Sequence, residues 1–228
     1  MPDPSSPPPS TSSWACLFDW DGVIIDSSRH HEESWERLAR EVDRPLPPGH
    51  FKRGFGRKNE YIIPTLLNWA SEEPEIRRLS LRKEALYREV VADWGLEPLP
   101  GVRTWMERLR EAGVPCAIGS STHRANIDMS LGLIGLTEFF EAIITAEDVS
   151  HGKPDPEVFL KGASALGMPP GRCVVFEDAL VGIAAARAGG MKVVAVATTH
   201  APEELGEADR VVRRLDELEA GQLGAWFA

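Results

Sequence analysis

Two aspartates, Asp19 and Asp21, stand two positions apart directly after the apolar run Trp14 to Phe18. A continuous apolar run predicts a buried strand, and residues i and i+2 of a strand face the same side. Two carboxylates leaving a strand together could serve different tasks, one contacting a metal and substrate and the other moving a proton. The pair could equally bond loop amides or cap a following helix, so the spacing alone leaves both interpretations open.

Three further polar clusters stand near the ends of predicted strands. They are Ser120-Ser121-Thr122, then Lys153 within Gly152-Lys153-Pro154-Asp155-Pro156, and Glu177-Asp178 after the run Val174 to Phe176. The hydroxyl and acidic clusters could also be helix caps, whereas the two prolines fix the backbone around the lysine. Because the carboxyl ends of parallel strands share one edge of a sheet, acids, hydroxyls and a lysine would meet there. Such a set predicts phosphoryl transfer with a divalent metal.

Mg²⁺ is the metal that these residues would suit, because it prefers oxygen ligands and keeps several waters. We expect Asp19, Asp178 and Glu177 to hold it, together with a backbone carbonyl near Asp21. The metal and Lys153 would offset the repulsion between a carboxylate nucleophile and a phosphate dianion.

The elements that must position these residues alternate between strand and helix from residue 100 onward, which predicts a parallel sheet built from βαβ units. The predicted strands are 14–18, 115–119, 142–145, 173–176, 193–197 and 210–212, and the predicted helices of this part are 102–111, 127–134, 156–166 and 181–188. Residues 29–97 show helical periodicity and no convincing strand, apart from a loop expected at 49–56. We therefore predict an α/β fold with a Rossmann-like three-layer core, residues 14–28 and 98–228, and a helical cap domain, residues 29–97, inserted after the first strand.

Composition restricts the partners of the chain. Its 228 residues carry a formal net charge of −10 and 43% hydrophobic content, which suits a globular core and disfavours binding to nucleic acid or to anionic membranes. No apolar run is long enough to span a bilayer, and the Pro- and Ser-rich residues 1–13 predict a disordered tail. Cys16, Cys116 and Cys173 form no disulfide pattern and predict buried thiols. We expect a cytoplasmic protein, a monomer or weak homodimer, that acts on a small molecule.

Four ordered motifs resemble those of the haloacid dehalogenase superfamily: Asp19-Trp20-Asp21-Gly22-Val23, Ser120, Gly152-Lys153-Pro154-Asp155 and Glu177-Asp178. The helical insertion resembles the cap of its β-phosphoglucomutase-like and phosphoglycolate-phosphatase-like branch. The resemblance implies that Asp19 is a nucleophile that becomes an aspartyl phosphate and that Asp21 is the general acid and base. It also implies that Ser120 and Lys153 bind phosphate. Dehalogenases of the superfamily usually lack an acid at the position of Asp21, so the resemblance implies a phosphate ester as substrate.

The cap would select the leaving group. The loop Phe51 to Lys58 is locally basic, and Arg57 stands where cap residues of β-phosphoglucomutase-like proteins contact substrate. His31, Trp35 and Lys83 match further positions of that cap, and we also assign Ser121 to substrate binding. The alternatives are solvated loop cations and, for the tryptophan, a place in the core of the cap.

The leading hypothesis is a Mg²⁺-dependent phosphatase acting on a small phosphorylated metabolite such as a sugar phosphate. The closest alternative is a β-phosphoglucomutase, which passes the phosphoryl group to a sugar hydroxyl instead of water. A noncatalytic protein with a receiver-like core is a third hypothesis, which Asp21 and the cap insertion disfavour.

Overall fold

The centre of the fold is a six-stranded parallel sheet with the strand order β3-β2-β1-β4-β5-β6. The structure, a computed structural model, describes residues 12–54 and 56–228. The strands are β1 (Ala15–Phe18), β2 (Cys116–Gly119), β3 (Ala142–Ile144), β4 (Cys173–Glu177), β5 (Lys192–Val196) and β6 (Arg210–Val212). All six predicted strands are present within one or two residues of their expected ends, so the predicted α/β fold with a Rossmann-like sheet is confirmed.

The register of the central strands sets the position of the polar residues. Phe18 of β1 pairs with Ile118 of β2 on one side and with Phe176 of β4 on the other. All three strands run in the same direction and therefore end at the same level. The residues that follow them, among them Asp19 and Ser120, emerge side by side at one edge of the sheet.

Helices cover both faces of the sheet and complete the three layers. The α-helices are α1 (Ser28–Glu41), α2 (His50–Gly54), α3 (Asn59–Tyr61), α4 (Glu73–Trp94), α5 (Val102–Glu111), α6 (Arg124–Ile134), α7 (Glu157–Ala165), α8 (Leu180–Ala188) and α9 (Ala220–Gly224). A π-helical turn spans Ile62–Leu66, and short 3₁₀ turns span Thr137–Phe139, Ala146–Asp148, Pro170–Arg172, Pro202–Leu205, Leu215–Glu217 and Ala225–Phe227. Alternation along β1 places Phe18 in one apolar layer and Leu17 in the other.

Helices α1 to α4 lie between β1 and α5 and enclose an apolar cluster of their own, in which Trp35 and Leu38 of α1 pack with Leu79 and Leu86 of α4. This is the helical cap expected for residues 29–97, and those boundaries stay a prediction. The loop expected at 49–56 is partly wrong, because His50–Gly54 form the short helix α2. The previous helix, α1, already ends at Glu41, before the prolines at 45, 47 and 48, and a new turn can begin directly after these prolines.

Other sequence expectations concern the termini and the thiols. The predicted tail, residues 1–13, lies outside the described residues except for positions 12 and 13. Cys16, Cys116 and Cys173 are free and buried in β1, β2 and β4, as predicted. No helix in the described part of the chain has the length and apolar character needed to cross a membrane.

Candidate active site

Lys153 lies at the centre of the polar cluster at the sheet edge. Its ammonium is 2.7 Å from Asp19 Oδ1 and 2.6 Å from Glu177 Oε1, and all three side chains are buried. The other carboxylate oxygen of Glu177 accepts hydrogen bonds from the backbone N–H groups of Asp178 and Ala179, at 2.8 Å and 2.7 Å. Both oxygens of Glu177 are therefore engaged, and this side chain fixes the lysine next to Asp19.

Three buried acids, Asp19, Glu177 and Asp178, offer carboxylate oxygens within 4.8 Å of one another. Asp178 Oδ2 accepts a hydrogen bond from Thr199, whereas its Oδ1 is buried with no hydrogen-bond partner among the described residues. Burial and the neighbouring acids raise the pKa of Asp178 well above its usual value. Burial likewise raises the pKa of Asp19, to about 7, although the charge of Lys153 opposes the shift. One ammonium does not compensate three acids, so the cluster fits a divalent cation.

Gly22, which lies within the first motif, is required by the same cluster. Its φ is +80°, and a Cβ atom at this position would overlap the carboxylate of Asp178. Only glycine combines this backbone conformation with so close an approach of a side chain.

Asp21 points away from the acid cluster. Its carboxylate accepts hydrogen bonds from the hydroxyls of Ser27 and Thr122, and it lies 3.3 Å from His31 Nε2. Burial would raise the pKa of Asp21, but the neighbouring His31 and the hydroxyls of Ser27 and Thr122 lower it to about 2. The expected metal contact of Asp21 is therefore restricted to its backbone carbonyl, because its side chain is occupied by these partners.

His31 connects Asp21 to the cap. Lys83 Nζ lies 2.6 Å from His31 Nδ1 and 3.0 Å from Glu84 Oε1, and the imidazole stacks on Tyr87 at 4.1 Å. A protonated lysine can only donate, so Nδ1 accepts and Nε2 carries the hydrogen that Asp21 accepts. Lys83 is 2% exposed, which makes it a buried member of this chain of contacts and not a solvated cation.

A cavity opens above Asp19 between the cap and the core. Eight of the predicted site residues line it: Asp19, Asp21, His31, Trp35, Arg57, Lys83, Ser120 and Ser121. Lys153, Glu177 and Asp178 are not among its lining residues. The structure thus brings the residues of the four motifs and of the cap to one site.

Hydrogen bonds refine the expectations for the hydroxyl motif and the cap loop. Ser120 is not a helix cap, because α6 begins at Arg124, and its hydroxyl instead accepts the N–H of Thr122 at 3.2 Å. Ser121 donates to the carbonyl of Gly56 in the cap at 3.0 Å, so this predicted substrate ligand also joins the two parts of the chain. The Arg57 guanidinium lies 4.4 Å from the centre of the Tyr61 ring, at the edge of the cavity.

Comparison with known proteins identifies the family. A model of the haloacid dehalogenase-like hydrolases matches residues 15–190. The chain belongs to this family. The prediction of a haloacid dehalogenase-like phosphoric monoester hydrolase is thereby confirmed at the level of the enzyme class, and the match favours an enzyme over the receiver-like alternative.

Individual relatives place this hydrolase in the β-phosphoglucomutase-like branch. It is 39% identical over 205 residues to a chloroplastic 5-amino-6-(5-phospho-D-ribitylamino)uracil phosphatase of Arabidopsis thaliana, covering 89% of this chain but 54% of that protein. It is 32% identical over 215 residues to validoxylamine A 7'-phosphate phosphatase of Streptomyces hygroscopicus subsp. limoneus, with 91% and 97% covered. A crystal structure of β-phosphoglucomutase from Clostridium difficile superposes with a TM-score of 0.82 at 25% identity, covering 93% of this chain and 96% of the other.

Several residues of the hydrolase site were not found from the sequence. Glu84 and Asn59 line the cavity, and Ser27 and Thr199 hold the two aspartates Asp21 and Asp178. An acid beside a lysine on a long charged helix resembles a solvated pair, so Glu84 gave no signal. Thr122 lay inside the hydroxyl motif, and only its role as a partner of Asp21 was missed.

Proposed function

We propose that this hydrolase is a Mg²⁺-dependent phosphatase of a small phosphorylated metabolite and that it forms an aspartyl phosphate on Asp19. The observation that carries the proposal is the division of labour between the two aspartates. Asp19 lies against Lys153 in the acid cluster, whereas Asp21 lines the same cavity but is held by hydroxyls and an imidazole. This arrangement supports a nucleophile and a separate acid or base.

In the first half of the reaction, a carboxylate oxygen of Asp19 would attack phosphorus while the ester oxygen leaves. Lys153 and Ser120 would bind the phosphate oxygens, which gather negative charge in the transition state. Asp21 would give a proton to the leaving oxygen, and the entering phosphate favours its protonated form because a nearby negative charge disfavours a carboxylate. In the second half, ionised Asp21 would accept a proton from the attacking water.

Asp19 and Asp178, with the backbone carbonyl of Asp21, are the groups that we propose for Mg²⁺. Asp178 Oδ1 supports this assignment, because a buried carboxylate oxygen with no donor among the described residues is available to bind a cation. Glu177 adds charge to the cluster, while its oxygens hold Lys153 and two backbone N–H groups. When bound, the metal would neutralise charge on the phosphate and on the nucleophile.

The residues that line the cavity favour a substrate whose leaving group is small, polar and bears hydroxyls. Charged and amide side chains line the cavity together with an aromatic ring: Arg57, Lys83, Glu84, Asn59 and Trp35. Such groups can donate to and accept from hydroxyls. The two phosphatase relatives, which act on phosphorylated small molecules, are consistent with a sugar or sugar-alcohol phosphate.

The test is phosphate release from a panel of phosphorylated sugars and sugar alcohols, with Mg²⁺ or with a chelator. We expect release only with the metal, and we expect Asp19→Asn to abolish it while the protein stays folded. Asp26→Asn is the matched control, because Asp26 is exposed and outside the cavity lining, and it should keep full turnover. Normal turnover by Asp19→Asn would refute the proposed nucleophile.

A β-phosphoglucomutase activity is the second candidate, favoured by the superposition on an enzyme of that name. Both activities would use Asp19 and Asp21, and they differ in whether water or a sugar hydroxyl takes the phosphoryl group. Glucose 6-phosphate formed from β-glucose 1-phosphate would establish the mutase. Phosphate release with no isomerised sugar would establish the phosphatase.

A further inference from the structure

One face of the cap helix α4 contacts the start of core helix α6 through polar side chains. Ser80, Glu84 and Arg88 recur every four residues along α4 and therefore lie on the same face. Ser80 Oγ is 3.5 Å from Nε2 of His123, the residue that precedes α6. The other two contact Asn126, in the first turn of α6.

The side chain of Asn126 is held at both ends. Its Nδ2 donates to Glu84 Oε2, and its Oδ1 accepts from Arg88 Nη1 at 2.8 Å. A carboxylate only accepts and a guanidinium only donates, so the orientation of the amide is fixed. Asn126 is fully buried and Glu84 is 4% exposed. We call these three residues the Asn126 clasp.

Glu84 connects the clasp to the cavity. Its Oε1 accepts from Asn59 Nδ2 at 2.7 Å and from Lys83 Nζ at 3.0 Å, and all three of these residues line the cavity. Asn126 and Arg88 are not among the lining residues. Burial would raise the pKa of Glu84, but the charge of Lys83, with smaller contributions from other neighbouring side chains, lowers it to about 2, so the carboxylate is ionised at neutral pH.

We propose that Glu84 is a positioning residue, which fixes the cavity groups Lys83 and Asn59 relative to the core by clasping Asn126 together with Arg88. The Glu84 carboxylate accepts hydrogen bonds from Lys83 and Asn59 in the cap with one oxygen and from Asn126 in the core with the other. Lys83 in turn holds His31 against Asp21, so the geometry of the leaving-group side depends on a contact outside the cavity. The kinetic consequence rests on the proposed phosphatase activity.

Asn126→Leu tests the clasp without changing any residue of the cavity. Leucine has the same branching and the same number of side-chain heavy atoms as asparagine but forms neither hydrogen bond. We expect kcat/KM for a sugar-alcohol phosphate to fall about 10- to 100-fold, since small misplacement of groups near the reacting atoms has effects of this size. For acetyl phosphate, whose leaving group is only acetate, we expect a loss of less than about threefold, since the leaving group is too small to reach Lys83 and Asn59.

A general loss of stability would lower both rates alike, and equal losses for the two phosphoryl donors, or no loss for either, would overturn the proposal. Arg88→Met removes one contact of the clasp and should show the same pattern more weakly. Glu89→Gln is the control, because Glu89 is exposed on the same helix and its ion pair is with Arg82.

Asn126→Leu combined with Glu84→Gln should be no slower than the worse single variant, because both act through one contact. Additive losses would contradict the clasp.

Amide hydrogen exchange separates this proposal from the proposed function, because it needs no substrate. Asn126→Leu should accelerate exchange in residues 57–62, which include Asn59, and Glu89→Gln should not. If no compound is turned over, the phosphatase proposal fails while the exchange result still decides the clasp. Unchanged exchange in Asn126→Leu would overturn the clasp even in an active enzyme.

Discussion

The sharpest prediction concerns Asp178. Replacing this residue should stabilise the metal-free protein. Asp178 Oδ1 is buried beside Asp19 and Glu177, with no donor in the part of the chain that the structure describes. Asp178→Asn keeps the shape of the side chain, lets its oxygen accept from Thr199 and presents an amide N–H to the acid cluster. A buried polar group without a partner costs about 1–3 kcal/mol. We therefore expect the free energy of unfolding of the metal-free variant to rise by about that amount.

The sign of the pH dependence follows from the raised pKa of Asp178. In the unfolded chain this acid ionises near pH 4, whereas the folded protein holds its proton to higher pH. The group therefore destabilises the fold increasingly as pH rises above about 4, and the advantage of Asp178→Asn should grow with pH until the pKa of the folded protein is reached. For a chain of this length, 1–3 kcal/mol corresponds to about 2–12 °C in Tm.

Thermal unfolding in a chelator, and then with Mg²⁺, measures both effects. Mg²⁺ at 100 times its Kd should stabilise the wild type by about 2.7 kcal/mol and should have little effect on Asp178→Asn. Asp209→Asn is the control of opposite sign, because Asp209 accepts from Lys192 at 2.8 Å and from the N–H of Val193 at 2.9 Å. A lower Tm of metal-free Asp178→Asn at pH 8, or an equal response of both proteins to Mg²⁺, would refute the reasoning.

Two further predictions concern the lysine. Lys153→Met leaves Asp19 and Glu177 buried without their cation. We expect kcat to fall at least about 10²-fold in steady-state kinetics, and the free energy of unfolding at neutral pH to fall by about 3–5 kcal/mol in urea. Activity within tenfold of the wild type would contradict the role of the ammonium. Gly182→Ala would place a Cβ atom on the carboxylate of Glu177 and displace this side chain, which holds Lys153, so kcat should fall. Gly221→Ala is the control and should stay active, because its new Cβ would meet no heavy atom. Equal activity of the two variants would show that Glu177 does not position Lys153.

The sheet was predictable because its strands are short and bounded by loops, and because the central strands β1, β2 and β4 are wholly buried. The runs that became β1 and β4 contain few polar residues, so both faces must be covered, as in a parallel sheet. Once the strands are parallel, Asp19 and Glu177 must emerge at one edge, and four motifs in order specify the family. The loop expected at 49–56 was wrong in part, since a five-residue helix gives too few residues for a periodic pattern.

The cap was harder to predict, because helical periodicity shows which face is apolar but not what the polar face contacts. Lys83 was predicted as a cap residue that contacts substrate, with a solvated cation as the alternative, and its neighbour Glu84 was not predicted at all. Both are buried. Asn126 had no distinguishing neighbours and was not selected by any motif.

The sequence by itself determined the α/β architecture, the helical insertion and the identity of the acids, hydroxyl and lysine at the sheet edge, because strand burial and local order are encoded in nearby residues. Only the tertiary structure decided the roles within that set. Asp21 contacts His31 and not the acid cluster. Both oxygens of Glu177 accept from other donors, and one oxygen of Asp178 has no partner among the described residues. These differences arise from contacts between residues far apart in the chain, which spacing along the sequence does not specify.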